Sequence, residues 1–135
     1  MDELFLIGRI IFGGYFAYNG VNHFVNHAMM AQFAAAKGVP MPEISVMVAG
    51  ALILAGGLSI LFGLRPHVGG LCIALFLLVV TPAMHNFWAV TDTQQRMAEM
   101  INFTKNAALL GSTLMLFGVP TPWAYGVESR RPVAG

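Results

Sequence analysis

Four long apolar runs constrain the fold of this chain more than any other feature of its sequence. Each is long enough to cross about 30 Å of hydrocarbon as a helix, which takes roughly 20 residues. We place the four spans at about residues 4–26, 43–64, 66–88 and 98–119. Apolar residues make up 57% of the sequence and charged residues only 10%, and a soluble domain of this size could not bury that much apolar surface. The sequence therefore predicts an all-α integral membrane protein, with a four-transmembrane-helix bundle over residues 1–119.

The segments between and after the runs carry turn and cap signals. Proline and glycine punctuate Lys37–Pro42 and Gly63–Pro66, and Asp92 is placed to cap the fourth helix. His27–Ala36 is modestly amphipathic, which suits the membrane interface. Residues 120–135 combine prolines, charges and small residues, and we expect them to form a short C-terminal tail on the surface.

Small residues and short echoes indicate how the helices are arranged. Spacings of four in Gly13-x-x-x-Ala17, Ala51-x-x-x-Ala55-x-x-x-Ser59 and Ala107-x-x-x-Gly111 predict close helix packing. N-H-F ends the first run and H-N-F the third, while S-I-L-F-G-L and T-L-M-L-F-G-V end the second and fourth. The echo is compatible with two pseudo-repeated helical hairpins.

Positive charge at the span ends indicates the orientation. Four arginines on the side of the termini face three basic residues on the other side: Arg9, Arg65, Arg130 and Arg131 against Lys37, Arg96 and Lys105. Because cytoplasmic loops carry the excess of Lys and Arg, this balance predicts that both termini are cytoplasmic. The N-terminus lacks the basic region and cleavage site of a signal peptide, so we expect the first span to be retained.

Charge and cysteine content exclude two classes of function. The net charge is +1 and the charges are scattered, so no basic patch favours nucleic acid. Cys72 is the single cysteine, so neither an internal disulfide nor a dithiol motif can form. Thiol–disulfide chemistry would need a partner.

A polar stripe marks the end of the first run. Asn19, Asn22, His23 and Asn26 follow one another at helical spacing and so share one face. Polar side chains inside a membrane are costly unless something faces them. The stripe therefore favours a site, with His23 as a proton carrier, metal ligand or hydrogen-bond partner.

Two further clusters carry the remaining polar groups. On the third run, Thr81, His85 and Trp88 are predicted to share one helical face, with Asn86 beside them. The start of the fourth run carries a second stripe: Gln95, Glu99, Asn102 and Asn106. Lys105 stands near this stripe and is expected to pair with Glu99 or Asp92, or to snorkel to the surface.

Alternating spans bring these clusters to one side of the membrane. The first and third runs end there, and the second and fourth begin there. Ten side chains are therefore our candidate ligand-binding residues: Asn19, Asn22, His23, His85, Asn86, Trp88, Glu99, Asn102, Lys105 and Asn106. Arg9 lies about 21 Å along the first helix from His23, and is expected to snorkel to the headgroups on the opposite side.

Cofactor chemistry stays open at this point. His23 and His27 are spaced to form half a metal site, but no full ligand set is recognisable, so we predict no metal centre. A haem between His23 and His85 is geometrically allowed. No phosphate-binding loop or nucleophile elbow is present.

Five motifs spread over about residues 4–118 carry a family resemblance. They are R-I-I-F-G-G-Y-F-A-Y-N-G-V-N-H-F from Arg9, K-G-V-P-x-P from Lys37, G-x-L-I-L-A-G-G-L-S-I-L-F-G-L from Gly50, H-N-F-W from His85 and F-x-K-N-x-x-L-x-G from Phe103. Together they resemble the DoxX family of small four-helix membrane proteins. The resemblance implies a location in the bacterial inner membrane. It also implies a link to redox chemistry, since some members are subunits of a thiosulfate:quinone oxidoreductase and others assemble with superoxide dismutase and a thiol-handling enzyme.

We therefore expect a membrane subunit that binds a quinone or similar amphipathic molecule and supports a redox partner. His23 and His85 would bond the head group, oriented by Asn19, Asn22 and Asn106. As an enzyme, the chain would be at most a subunit of a quinone-linked oxidoreductase. A non-catalytic scaffold, in which the polar cluster only locks helix packing, is the alternative. A proton path is disfavoured because the opposite half offers only Arg9, and a homo-oligomer in the lipid bilayer stays open.

Overall fold

The computed structural model describes residues 1–130, and every regular element in that range is a helix. The helices are α1 Asp2–Val25, α2 His27–Ala36, α3 Pro42–Phe62, α4 Pro66–Met84 and α5 Thr93–Leu116, with short 3₁₀ helices at Phe87–Ala89 and Glu128–Arg130. The last part of the predicted tail, residues 131–135 with Arg131, lies outside the described residues.

The all-helical membrane architecture is confirmed. Three segments are long and apolar enough to cross a membrane, namely Asp2–Val25, Pro42–Phe62 and Pro66–Ala89. α5 is also long, at 24 residues, but charged side chains in its first half lower its hydropathy below that of the other three.

The helix ends follow the local chemistry of the sequence. α3 and α4 begin with Pro42 and Pro66, as expected because the first helical position needs no N–H donor. The predicted cap of α5 is confirmed, since the Asp92 carboxylate accepts a hydrogen bond from the backbone N–H of Gln95 at 2.8 Å. α2 coincides with the predicted amphipathic segment.

The third helix is shorter than the sequence analysis predicts. α4 ends at Met84, two residues after Pro82, because proline removes a backbone donor and its ring crowds the preceding turn. Trp88 lies in the following 3₁₀ helix. The prediction that Thr81, His85 and Trp88 share one helical face is therefore wrong.

Glycines bring the backbones of α1 and α3 into contact, and these two helices form the most extensive helix pair in the fold. A Cβ added to Gly57 would lie 2.7 Å from the Gly13 carbonyl oxygen, and one added to Gly20 would lie 2.7 Å from the Leu54 nitrogen. Both distances are too short for a real side chain. The predicted small-residue contact at Gly13 is confirmed, but α3 meets it through Gly57 rather than through the Ala51 series.

The remaining helices follow one another around an arc. α3 packs on α4 and α4 on α5, while α2 lies against α3. The main core contains six fully buried side chains: Phe16, Ile53, Ile60, Ile73, Leu77 and Trp123. Side chains from α1, α3, α4 and, unexpectedly, the C-terminal tail thus fill the interior of the bundle.

Trp123 corrects the prediction of a surface tail. The side chain is 1% exposed and packs edge-on against Phe5, with ring centroids 5.0 Å apart. The backbone N–H of Val127 donates to the Phe62 carbonyl at 2.9 Å. The indole is a large apolar group, and here it is almost completely buried. The described part of the tail therefore closes one end of the bundle.

Arg9 is buried and does not extend to the headgroups, so the prediction that it snorkels is wrong. The residue is 3% exposed, and its guanidinium donates to the carbonyls of Ala124 at 3.1 Å and Tyr125 at 3.3 Å. It also lies 6.0 Å from the centre of the Trp123 ring. A buried guanidinium needs acceptors, and the turn after Trp123 supplies them.

Replacing Trp123 with alanine tests this packing. We expect Trp123→Ala to lower the free energy of unfolding by about 3–5 kcal/mol, because a fully buried indole leaves a large cavity. Unfolding in mixed detergent micelles, followed by circular dichroism, measures the change. Trp88→Ala is the matched control, since Trp88 is 58% exposed. Equal losses in the two variants would contradict the buried tail.

Candidate ligand cavity

The topology gathers one set of helix ends into what we call the polar end of the bundle. It comprises the last turns of α1 and α4, the first turns of α3 and α5, and α2 lying across them. The His27 ring bonds the Glu43 carbonyl at 2.9 Å, which joins α2 to the start of α3. The opposite end is the one closed by Arg9 and Trp123.

A cavity of about 780 Å³ opens beside the polar end. All five α-helices contribute to its wall, which is mostly apolar. Representative apolar side chains are Phe16, Phe33, Leu52, Phe76 and Leu109. A few polar side chains interrupt this surface: Asn19, His23, Ser45, His85, Lys105 and Asn106.

The structure brings five of the ten predicted site residues to this cavity. They are Asn19 and His23 from α1, His85 at the end of α4, and Lys105 and Asn106 from α5. The convergence expected from alternating spans therefore holds for these side chains.

The other five predicted residues lie elsewhere at the polar end. The Asn26 amide donates to the Asn22 side chain within α1, and Asn102 accepts from Lys105 at 3.2 Å. Asn86 and Trp88 line a second cavity of about 490 Å³, which also contains Lys37. Glu99 belongs to an ion-pair cluster.

His23 is held by its own helix. Its Nδ1 lies 2.8 Å from the Asn19 carbonyl oxygen, and its ring meets Phe76 of α4 edge-on with centroids 6.1 Å apart. A Cβ added to Gly50 of α3 would lie 2.7 Å from the His23 Cβ. Because Gly50 has no side chain, there is room for His23 at this position.

Glu99 joins three segments through a cluster with Lys37 and His85. One carboxylate oxygen accepts from the Lys37 ammonium at 2.9 Å, and the other accepts from His85 Nδ1 at 2.8 Å. The side chains of Lys37 and Glu99 are only 23% and 15% exposed, so water screens the pair less than a surface pair. The cluster ties the turn after α2 to α4 and α5.

Comparison with models of protein families shows which family the chain belongs to. The DoxX profile matches residues 4–86, which is more than half of the 135 residues. The chain belongs to the DoxX family. No curated protein and no solved structure matches the chain.

The residues that line the candidate cavity lie partly inside and partly outside the region of the DoxX match. Residues 4–86 comprise α1 to α4 with His23, His85 and Lys37. α5, with Glu99, Lys105 and Asn106, lies beyond the matched region. The matched segment thus supplies both histidines, and α5 supplies the carboxylate that one of them binds.

The ion pair of this DoxX protein differs from the predicted one. Lys105 pairs with neither Glu99 nor Asp92; it donates to Asn102, while Lys37 is the partner of Glu99. The physical reason is that Lys105 and Glu99 lie six residues apart on one helix, which places them on different faces. Sequence reasoning missed Lys37 and Ser45 as site residues, although the position of Lys37 in the loop between the first two runs was an available signal.

No group of three histidine, cysteine, aspartate or glutamate side chains gathers closely enough to hold a metal ion within the described part of the chain. His27, the proposed partner of His23 in half a metal site, instead bonds a backbone carbonyl. The half-site that the spacing of His23 and His27 allows is therefore not assembled.

A double-mutant cycle tests the ion-pair cluster. We expect Lys37→Met and Glu99→Gln to be coupled by about 1 kcal/mol in the free energy of unfolding, since the pair is direct and partly screened. The cycle of Lys105→Met with Glu99→Gln is the control, and its coupling should be near zero. Stronger coupling at Lys105 would contradict the assigned partners.

Proposed function

We propose that this DoxX-family protein is a membrane subunit that binds a quinone or similar amphipathic small molecule in the large cavity. The observation that carries the proposal is the composition of the cavity wall, which is mostly apolar but includes the polar side chains of His23, His85, Lys105 and Asn106. A ring with polar substituents and an apolar body matches such a wall.

The volume of the cavity supports a ligand of this size. Small-molecule sites are typically clefts of about 300–1,000 Å³ with few polar groups on an apolar surface. The cavity, at about 780 Å³, falls within that range. It is large enough for a substituted aromatic head group and the first part of an attached chain.

The polar groups supply both kinds of hydrogen bond that such a head group needs. The Lys105 ammonium and the Asn106 amide can donate to oxygen atoms. The imidazoles of His23 and His85 can accept or donate according to their protonation. The four groups come from α1, the end of α4 and α5, so more than one segment can bond the head group.

Access from the bilayer follows from the arrangement of the helices. α1 and α5 both line the cavity but are not among the closely packed helix pairs. A long-tailed molecule could therefore reach the head-group site between them while its tail stays in lipid. We assign electron transfer to a redox partner, because the chain carries one cysteine and so no thiol pair of its own.

We further infer that α5 is the fourth membrane span. Its start is tied to the polar end through Glu99, whereas the tail that follows it contacts Arg9 at the opposite end. A helix of 24 residues covers about 36 Å, enough for this crossing. With the charge balance of the loops, this gives a four-span protein of the bacterial inner membrane with both termini in the cytoplasm.

Cysteine accessibility tests this topology. In a Cys72→Ser background, we expect a membrane-impermeant maleimide to label Gln94→Cys in intact spheroplasts, because Gln94 is exposed at the polar end. Glu3→Cys and Val127→Cys should react only after lysis. Labelling of Val127→Cys together with Gln94→Cys would show that α5 does not cross, and the reverse pattern for all three positions would invert the orientation.

Extraction of the purified protein tests the proposed ligand. We expect a quinone, held as its hydroquinone or in its oxidised form, to copurify in mild detergent and to be detected by mass spectrometry of the organic extract. His23→Ala/His85→Ala should lose at least about tenfold of it, since each lost hydrogen bond weakens binding several-fold. His27→Ala/His67→Ala is the matched control, because neither of those histidines lines the cavity.

The alternative function predicts a different result from the same extraction. If the polar cluster only locks the helices together, the wild-type protein yields no stoichiometric ligand, and His23→Ala/His85→Ala merely unfolds earlier. That outcome would favour a scaffold. A haem absorption band in the wild type would instead favour ligation by the two histidines.

A further inference from the structure

The two cavity histidines share one feature that the proposed function leaves unused: each has its Nδ1 bonded to a group that only accepts. His23 Nδ1 lies 2.8 Å from the backbone carbonyl oxygen of Asn19. His85 Nδ1 lies 2.8 Å from a carboxylate oxygen of Glu99. Carbonyl and carboxylate oxygens have no proton to give, so each Nδ1 carries the hydrogen.

This bonding fixes the tautomer of both neutral imidazoles. When Nδ1 carries the proton, Nε2 has a free lone pair and accepts hydrogen bonds. Within residues 1–130, neither His23 Nε2 nor His85 Nε2 makes a hydrogen bond. Both rings therefore present an unused acceptor in side chains that line the cavity.

The Glu99 carboxylate is shared by the Lys37 ammonium and the His85 imidazole. The same pair of contacts therefore holds the carboxylate and the imidazole ring in place. Glu99 acts through His85, and Lys37 through Glu99, as positioning residues.

We propose that the cavity binds hydroxyl-bearing aromatic molecules, and so prefers a hydroquinone to its quinone. A hydroquinone offers two O–H donors, which match the two free Nε2 acceptors. A quinone offers only carbonyl acceptors, and these can bond only Lys105 and Asn106 among the side chains discussed. The inference rests on the proposed function and adds which redox form the site selects.

Lys105 and Asn106 do not cancel this preference. Lys105 already donates to Asn102 at 3.2 Å, so one of its hydrogens is not available to a ligand. The amide of Asn106 can donate or accept, and it therefore serves either form. In the neutral histidines, the contact at Nδ1 fixes Nε2 as a hydrogen-bond acceptor.

Three matched probes test the preference on the full-length protein in detergent, by titration calorimetry without oxygen. They are a decyl-benzoquinone, its hydroquinone, and the dimethyl ether of that hydroquinone, which keeps the ring and tail but has no O–H. We expect the hydroquinone to bind at least about tenfold more tightly than the other two, since one or two additional hydrogen bonds are made.

Variants connect the preference to the named atoms. His85→Gln and His23→Gln should each reduce the preference several-fold, because glutamine can donate as well as accept. Glu99→Gln should do the same with His85 in place, since an amide no longer fixes the tautomer. His27→Gln should leave the preference unchanged, and Lys105→Met should increase it by weakening the quinone more than the hydroquinone.

The outcomes separate the two proposals. If quinone or dimethyl ether binds as tightly as hydroquinone, the preference for O–H donors is wrong while ligand binding stands. A preference that survives both His→Gln substitutions would equally overturn it. If none of the three probes binds, the inference and the proposed function both fail.

Discussion

The close contact between α1 and α3 is the constraint on which the rest of the structure depends. Gly13 and Gly57 let the two backbones touch at a distance that no side chain would permit. Lipid gives helices little hydrophobic reason to associate, so such close packing supplies the attraction instead. The contact extends to Gly50, whose missing side chain leaves room for His23. The position of one cavity histidine is thus a consequence of how two helices pack.

The two ends of the bundle solve the same problem with different chemistry. At one end a buried guanidinium needs acceptors, and the backbone carbonyls of Ala124 and Tyr125 provide them. At the other end, the carboxylate of Glu99 is shared by an ammonium and an imidazole. Between these ends the wall is almost wholly apolar. The two histidines that line the cavity lie at the polar end of the bundle, where ligand binding is proposed.

Helices and their order could be predicted from the sequence because both rest on local signals. Apolar run length, proline and the Asp92 cap set the helix ends to within a few residues. Alternation of the spans then places His23 and His85 at the same end without any knowledge of side-chain contacts. The early end of α4 is the exception, because the helix ends at Met84, two residues after Pro82, although the apolar run continues to about residue 88.

Contacts between distant residues could not be predicted in this way. Lys37 and Glu99 are 62 positions apart. The six-residue spacing between Glu99 and Lys105 places those two on different faces of α5, but it does not identify Lys37 as the partner. The burial of Trp123 depends on a gap left by four helices, and the fate of Arg9 depends in turn on Trp123. Such features are decided by packing in three dimensions, where the sequence offers only the residue type.

Photo-crosslinking with a long-tailed azido-quinone tests the central claim most directly. We expect the probe to label cavity residues on α1 and α5, around His23 and Asn106, and an excess of unlabelled quinone to abolish that labelling. Labelling confined to outward-facing side chains such as Ile11 and Met115, which are 67% and 77% exposed, with no effect of competitor, would contradict it. The side chains at the polar end would then stabilise the packing of the helices rather than bind a ligand.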